Sequence, residues 1–270
     1  MFGLDPVLIL ILLAMGCFGG FSAGLLGIGG GMVLVPFMTM IFSAQGFAHG
    51  LVVHMAIATS LATILFTSIS STRAHHRHGA VQWHVARLLS PGIVIGSFIG
   101  PWIGKQMDTA TLSLFFGIFV AFSATQMLFN RRSEGNHPLP GSAGMLAAGG
   151  AVGILSGLVG AGGGFVSIPF MTWGGIRIHQ AVATSAALGF PIALAGTVAN
   201  MIYGWNEPGL PPGALGFVWL PALGIIVVAS MSVAPLGARL AHRLPVLKLK
   251  RIFALILYAL AGYMLWKATQ

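Results

Sequence analysis

The chain has 270 residues, of which 56% are hydrophobic and only 6% are charged. Soluble domains average about 25% charged residues, and 4 acids with 13 bases could not cover a soluble protein of this length, so that class is excluded. The net charge of +9 is interpreted as topological, because Lys and Arg collect on the cytoplasmic side of membrane proteins, and no nucleic-acid partner is expected.

Long apolar runs predict an all-α polytopic membrane protein with the lipid bilayer as its surroundings. Several runs exceed the roughly 18 residues that a helix needs to cross a bilayer. The first run predicts a helix over 6–26 and a short helix over 31–45. Between them, glycines 27, 29, 30 and 31 interrupt the run, because glycine disfavours helix interiors.

The remaining helices of the first half follow a simple order. Helices are predicted over 50–72, 88–106 and 110–130, and the polar, basic segment 73–87 is predicted to connect the first two. A hydrophilic segment with two prolines then divides the chain near its middle. The predicted domains are a first transmembrane repeat (1–132), a linker (133–142) and a second transmembrane repeat (143–270).

The second half repeats the plan of the first. The segment from Gly20 to Thr39 returns as Gly153 to Thr172 with 11 of 20 positions identical, and Ala58-Thr59-Ser60 returns as Ala183-Thr184-Ser185. A pair of glycine-interrupted apolar segments in corresponding halves is typical of duplicated transporters. Helices are predicted over 143–160, 164–175, 178–203, 215–238 and 248–267.

The positions of the bases test how many times each half crosses the membrane. With four crossings per half, the bases divide 6 against 7. If each glycine segment reverses the chain, the division becomes 11 against 2, which is a strong positive-inside pattern. Five crossings is an odd number, so this count predicts two inverted repeats of about five helical segments each, with the N- and C-termini outside. The two short helices could cross fully or be re-entrant.

The glycine segments are also the candidate substrate site. A helix N-terminus offers free N–H groups and the positive end of its dipole to an anion without any charged side chain. Close helix packing is the alternative explanation for the glycines, and the hydroxyl groups of helices 2 and 6 could bond their own backbone instead of a ligand. The candidate substrate-binding residues are Gly29, Gly30, Gly31, Gly162, Gly163, Gly164, Thr59, Ser60, Thr184 and Ser185.

Other residues have more limited predicted roles. His54 is the clearest ionisable group within a predicted span, so it is a candidate for proton coupling, with a neutral, carbonyl-bonded histidine as the alternative. The candidate hinges are Pro36, Pro169 and Pro191. The histidines at 75, 76, 78 and 84 are irregularly spaced among arginines, which favours a solvated basic loop over a metal site. No metal or cofactor is predicted, and hydrolase and ATP-binding motifs are absent, so no enzyme is expected.

Several motifs resemble one family of membrane proteins. They are the paired GxGGG-x₄-PFM segments, the two Ala-Thr-Ser segments, the Arg73…His78-Gly79-Ala80-Val81 loop and the stretch from Ala234 to Arg239. Together they resemble the TauE/SafE family of sulfite exporters over nearly the whole chain. The resemblance implies a multi-pass transporter of small anions, among them sulfite and sulfonates such as sulfoacetate, in the bacterial cytoplasmic (inner) membrane.

The sequence therefore predicts a secondary transporter that moves a small sulfur-containing oxyanion by alternating access. Sulfite, sulfoacetate or a related organosulfonate would be the anionic substrate. A passive anion channel and an intramembrane enzyme or metal-binding protein are the alternatives. The sequence leaves a homodimer open.

Overall fold

The structure is a computed structural model that describes residues 5–27, 29–129, 137–241 and 246–270, without the side chains of 246–250. Within these ranges the chain forms ten helices and one short antiparallel strand pair, β1 (Ala214–Leu215) and β2 (Val218–Trp219). The helices are α1 (Pro6–Leu26), α2 (Gly31–Ala44), α3 (Val52–Arg77), α4 (Trp83–Gln106), α5 (Thr109–Phe129), α6 (Ser142–Val159), α7 (Gly164–Trp173), α8 (Ile178–Tyr203), α9 (Leu220–Ala241) and α10 (Val246–Lys267).

The all-α, polytopic prediction is confirmed. Seven of the helices are long and apolar enough to cross a membrane, and α2 is a shorter apolar helix. With 14 and 10 residues, α2 and α7 are only about 21 and 15 Å long, well short of a bilayer core of roughly 30 Å. The first four residues of the predicted linker (133–136) lie outside the described residues.

Two predicted boundaries were wrong. The first is the basic segment 73–87, because α3 continues through its first five residues to Arg77 and α4 already begins at Trp83. The second is the helix predicted from residue 215, which begins at Leu220 because the strand pair precedes it. The strand pair turns through Gly216 at a positive φ of 57°, a conformation in which glycine has no steric penalty.

The two halves of the chain interleave. Helix α1 packs along α9, and α6 packs along α4, so the first helix of each half lies against the fourth helix of the other half. Glycines let the backbones approach closely: a methyl group added at Gly20 would meet the backbone of Ser230, and one at Gly153 would lie 2.8 Å from the backbone nitrogen of Ser97. Gly20 and Gly153 occupy equivalent positions in the repeat.

The same contacts fix the directions of the helices. Along α1, Gly16, Gly20 and Gly24 meet Ile226, Ser230 and Ala234 in ascending order, so α1 and α9 run parallel. Likewise, Gly92, Gly96 and Gly100 of α4 meet Leu146, Gly150 and Ile154 of α6 in ascending order. Helices α3 and α8 pack against each other between these two pairs.

One end of the bundle collects positive charge, and we call it the basic end. One cavity there is lined by Arg77 and Arg239, and a second by Arg177, with His78 lining both. At the opposite end, Lys105 lies 3.6 Å from Glu207. The count with four crossings per half places Arg77 on the side opposite Arg177 and Arg239, whereas in the structure these arginines line two cavities that share His78. Arg131, Arg132 and Arg243 of the charge count lie outside the described residues.

Candidate functional site

The candidate site is built from two helix breaks. Helix α1 ends at Leu26 with Gly27 in a left-handed conformation, and α2 begins after Gly30 at φ 75°. The second break has the same form, with Gly160 at φ 67° ending α6 and Gly163 at φ 76° preceding α7. We call residues 27–31, of which residue 28 lies outside the described ranges, the first break, and residues 160–164 the second break. Only glycine adopts these angles readily, which explains the glycine clusters.

The two breaks lie directly against each other. A methyl group added at Gly29 would lie 2.7 Å from the Cα of Gly162, and one at Gly31 would lie 2.9 Å from the Cα of Ala161. The corresponding positions at Gly30 and Gly163 face other neighbours, the carbonyl of Gly19 and the side chain of Ile192. Of the six candidate glycines, Gly29, Gly31 and Gly162 therefore form the contact between the breaks.

The breaks lie inside the bundle and not at its ends. Ser60, which contacts the second break, is about 12 Å along the axis from the start of α3, a helix about 39 Å long. Ser185, which contacts the first break, is about 11 Å from the start of α8. A methyl group added at Gly189 would meet Ser68 and one at Gly196 would meet Leu61, so α3 and α8 run antiparallel. The helices that carry Ser60 and Ser185 to the breaks therefore start at opposite ends of the bundle.

Helices α2 and α7 begin at these breaks without a side-chain cap. Their N-cap residues are Gly30 and Gly163, which have no side chain to accept from the first N–H groups. Such N–H groups and the positive end of the helix dipole attract an anion. Both helix starts are buried, so the field there is screened less than at a surface.

The two predicted serines each bind the break of the opposite half. Ser60 of α3 donates to the carbonyl of Gly160 at 3.0 Å, and Ser185 of α8 donates to the carbonyl of Gly27 at 2.8 Å. Both serines are fully buried. Ser185 also accepts a hydrogen bond from Ser167 at 3.0 Å. Each serine hydroxyl therefore supplies a donor to a carbonyl at a helix end.

The predicted threonines also reach the opposite half. Thr59 accepts from the backbone N–H of Trp219 at 3.0 Å, and Thr184 accepts from that of Gln82 at 2.9 Å. Gln82 and Trp219 immediately precede α4 and α9, so these N–H groups occupy equivalent places in the repeat. Each Thr-Ser pair thus holds the start of the other half's fourth helix and the end of its first helix. We call the four hydrogen bonds the crossed clasps.

The crossed clasps should contribute measurably to stability. We expect Ser60→Ala to lower the free energy of unfolding by about 1–3 kcal/mol, because the buried Gly160 carbonyl loses this donor. The loss should be larger for Ser185→Ala, since Ser167 also loses its acceptor. Denaturant unfolding in mixed micelles, followed by tryptophan fluorescence, measures the change.

The matched control is Ser113→Ala. Ser113 is equally buried, but its hydroxyl donates to the carbonyl of Thr109, one turn earlier in the same helix. We expect this variant to lose less than about 1 kcal/mol, because an intrahelical side-chain bond adds little to the helix. Equal losses for Ser113→Ala and Ser60→Ala would contradict a special contribution from the clasps.

His54 lies near the end of α6, which leads into the second break. Its Nε2 is 3.1 Å from the carbonyl oxygen of Gly104 and 3.2 Å from that of Met107, so Nε2 is the donor. Its Nδ1 is buried and has no hydrogen-bond partner among the described residues. The side chain lines a small cavity with Ile57, Gly157, Leu158, Asn200 and Phe217. The cavity has room for about one water molecule.

Two charged residues lie near the helix end that His54 contacts. Hydrogen bonds from the hydroxyl and backbone N–H of Thr111 hold the pKa of the Asp108 carboxyl below its ordinary value. A lowered pKa means that this bond stabilises the start of α5 above the ordinary pKa, and that the contribution is lost as the pH falls through the lowered one. Lys105 donates to the carbonyl oxygen of Tyr203 at 2.6 Å.

The remaining candidate residues are three prolines within helices and the histidines near the end of α3. Pro36, Pro169 and Pro191 lie within α2, α7 and α8, where each removes one intrahelical hydrogen bond. Buried His75 contacts the carbonyl oxygen of Gly24 at 2.9 Å, and His76 accepts from the indole N–H of Trp83 at 3.2 Å. Within the described ranges, no three His, Cys, Asp or Glu side chains group closely enough to hold a metal ion.

Sequence reasoning missed the partners of the clasps. Gln82 and Trp219 were not candidates, because their backbone N–H groups, and not their side chains, make the contacts. The signal that could have found them is positional: both immediately precede the fourth helix of their half. The glycine segments were predicted to interrupt the helices, but nothing in the sequence indicated which hydroxyl the carbonyls of Gly27 and Gly160 would accept from.

Comparison with known proteins identifies the family. The family model described as "Sulfite exporter TauE/SafE" matches residues 12–264. The chain belongs to the TauE/SafE family. The TauE/SafE resemblance seen in the motifs is thereby confirmed, and the protein is a multi-pass membrane transporter.

Relatives from distant organisms match nearly the whole chain. A probable membrane transporter protein of Haemophilus influenzae is 36% identical over 265 residues, covering 96% of this chain and 98% of its own length. YunE of Bacillus subtilis is 26% identical and MJ0441 of Methanocaldococcus jannaschii is 27% identical. The matches cover 95% and 96% of this TauE/SafE chain, and 97% and 96% of the two relatives. No solved structure gives a significant match.

Proposed function

We propose that this TauE/SafE protein is a secondary transporter that carries a small sulfur-containing oxyanion across the cytoplasmic membrane by alternating access. Sulfite, sulfoacetate and related organosulfonates are the proposed substrates. The observation that carries the proposal is the contact between the two breaks, Gly29 against Gly162, beside two buried helix N-termini. The family's description as sulfite exporters supports the substrate class.

We further propose that the two halves are inverted repeats. The first helix of one half runs parallel to the fourth helix of the other, and the crossed clasps link equivalent residues in both directions. The breaks would then meet near the middle of the membrane, with α2 and α7 as re-entrant helices. The basic end would face the cytoplasm, and both termini would lie outside.

The interleaving of the halves affects which parts move. Glycine contacts lock α1 to α9 and α4 to α6, so each moving unit would contain helices of both sequence halves. The breaks and the proline-containing helices α2, α7 and α8 connect these pairs, and they are the proposed hinges.

The test is flux in proteoliposomes made with purified protein and loaded with sulfite, sulfoacetate, sulfate, taurine or a simple carboxylate. We expect saturable flux of sulfite or a sulfonate that responds to an imposed membrane potential and exceeds the flux of carboxylates. Conductance far above transporter turnover would instead indicate a passive channel. Absence of protein-dependent flux of every sulfur anion would contradict the proposal.

His54 is the proposed proton-coupling residue, and His54→Gln tests it. Glutamine keeps an N–H donor at a similar reach toward the carbonyls of Gly104 and Met107, but it cannot take up a proton as the imidazole Nδ1 can. We expect the variant to bind substrate as the wild type does while its flux no longer responds to a pH gradient. A variant whose flux follows the gradient as in the wild type would remove His54 from the mechanism.

A further inference from the structure

Three arginines surround one cavity at the basic end. Arg73 and Arg77 lie one turn apart on α3, and Arg239 faces them from α9. The cavity has a volume of about 210 Å³, and Ser70, Ala74, His78, Met231 and Pro235 complete its lining. We call this the arginine cavity. It is separate from the breaks and is not used by the crossed clasps.

The floor of the arginine cavity holds α3 and α9 in register. Pro235 has no N–H to donate to the carbonyl of Met231, one turn earlier in α9. The hydroxyl of Ser70 donates to that carbonyl at 2.8 Å instead. Arg73 follows Ser70 by about one turn, and Arg239 follows Pro235 by about one turn. This hydrogen bond therefore sets the arginines of the two helices opposite each other.

No acid neutralises the three arginines within the described residues. None of the guanidinium groups has a hydrogen bond or ion pair with a described residue, and the three described acids, Asp5, Asp108 and Glu207, do not line the cavity. At the opposite end, Lys105 has both Glu207 and the Tyr203 carbonyl as partners. Among the residues that the structure describes, positive charge is therefore paired with an acid at one end of the bundle and not at the other.

We propose that the arginine cavity binds an oxyanion with a sulfite-, sulfate- or phosphate-like group. Guanidinium forks bind such groups through paired hydrogen bonds, and a bound anion removes the mutual repulsion of the three cations. The anion could be a free substrate or the phosphate of an anionic lipid headgroup. If the anion is the substrate, it binds in this cavity before it reaches the breaks. This assignment rests on the proposed function.

The test is oxyanion binding to the purified full chain in nanodiscs of phosphatidylcholine, with sulfite and sulfate titrated by calorimetry. We expect Arg73→Gln, Arg77→Gln and Arg239→Gln each to weaken binding by about tenfold, the loss of one charge-assisted hydrogen bond. Arg87→Gln is the matched control, because Arg87 is an exposed arginine near the start of α4 that does not line this cavity. It should change affinity less than about twofold.

Equal affinity in the wild type and all three cavity variants would overturn the proposal, and so would an equal loss in Arg87→Gln. A second set of nanodiscs containing phosphatidylglycerol distinguishes a free anion from the phosphate of a lipid headgroup. Native mass spectrometry should find phosphatidylglycerol retained by the wild type and lost from Arg73→Gln if a headgroup occupies the cavity. Sulfite affinity unaffected by phosphatidylglycerol, with none of that lipid retained, would identify a free anion.

Flux measurements separate this inference from the proposed function. If binding depends on the arginines but the protein moves no sulfur anion, the binding site is supported and the transport proposal is contradicted. Conversely, if the protein transports a sulfur anion and its KM and oxyanion affinity are unchanged in all three cavity variants, transport is supported and the binding site is contradicted.

Discussion

Replacing Gly29 with alanine is expected to lower the free energy of unfolding by about 3 kcal/mol or more and to abolish transport. Two effects add at this position. The φ of 76° lies in the left-handed region, which costs a residue with a Cβ about 1–2 kcal/mol. The added methyl group would also lie 2.7 Å from the Cα of Gly162, and overpacking of this kind costs about 1–3 kcal/mol.

Backbone atoms cannot move aside as a flexible side chain can, so the two breaks would have to separate. Displacing the breaks would change the spacing of the two helix N-termini that the proposed anion site uses. Unfolding in mixed micelles measures the stability change, and flux in proteoliposomes measures the functional one. Any variant protein must first be shown to insert, by its recovery from membranes.

Gly46→Ala is the matched control for the backbone angle. Gly46 has nearly the same φ, 74°, but a methyl group there would meet nothing within 4 Å. We expect the free energy of unfolding to fall by only about 1–2 kcal/mol, the cost of the left-handed backbone conformation alone, and flux to be retained. If Gly46→Ala were as damaging as Gly29→Ala, backbone strain and not contact between the breaks would explain the glycine at 29.

Replacing Gly153 with alanine is expected to lower the free energy of unfolding by about 2 kcal/mol, through loosening of the α4–α6 pair. The methyl group would meet the carbonyl of Ile93 and lie 2.8 Å from the nitrogen of Ser97, both backbone atoms of α4. The greater helix propensity of alanine, worth up to about 1 kcal/mol, would offset only part of this loss. The same unfolding assay measures the difference.

Gly150→Ala on the same helix provides the comparison. Its methyl group would meet only the Gly92 carbonyl oxygen, at an ordinary contact distance of 3.9 Å. We expect unchanged or slightly increased stability, because the propensity gain is not opposed by a clash. Equal behaviour of the two variants would contradict the close approach of α4 and α6 at Gly153, and with it the interleaving of the halves.

Much of the secondary structure follows from local composition. The predicted helices 6–26 and 178–203 agree with α1 and α8 at both ends, and both breaks fall where glycines cluster. These features depend on residues close together in the sequence, where apolar length and glycine propensity act directly. The start of α9 was wrong because the preceding strand pair depends on a turn at Gly216 and on packing against other elements.

The candidate site could be predicted only in part. Repetition of the glycine and Thr-Ser segments indicated residues that lie close together, and their hydroxyls were candidates for ligand binding, with bonds to their own backbone as the alternative. In the structure they hold the crossed clasps, in which Ser60 binds Gly160 and Ser185 binds Gly27. Each bond joins residues more than 90 positions apart, and no local pattern specifies such a partner.

The sequence alone determines that this protein lies in a membrane, that its helices are duplicated and that glycines interrupt two of them. Apolar length, internal repetition and backbone propensity are properties of the chain itself. The tertiary structure adds the pairing of each first helix with the other half's fourth and the contact of Gly29 with Gly162. It also places Arg73 and Arg239 around one cavity. These depend on how closely distant backbones approach, which is a property of packed surfaces.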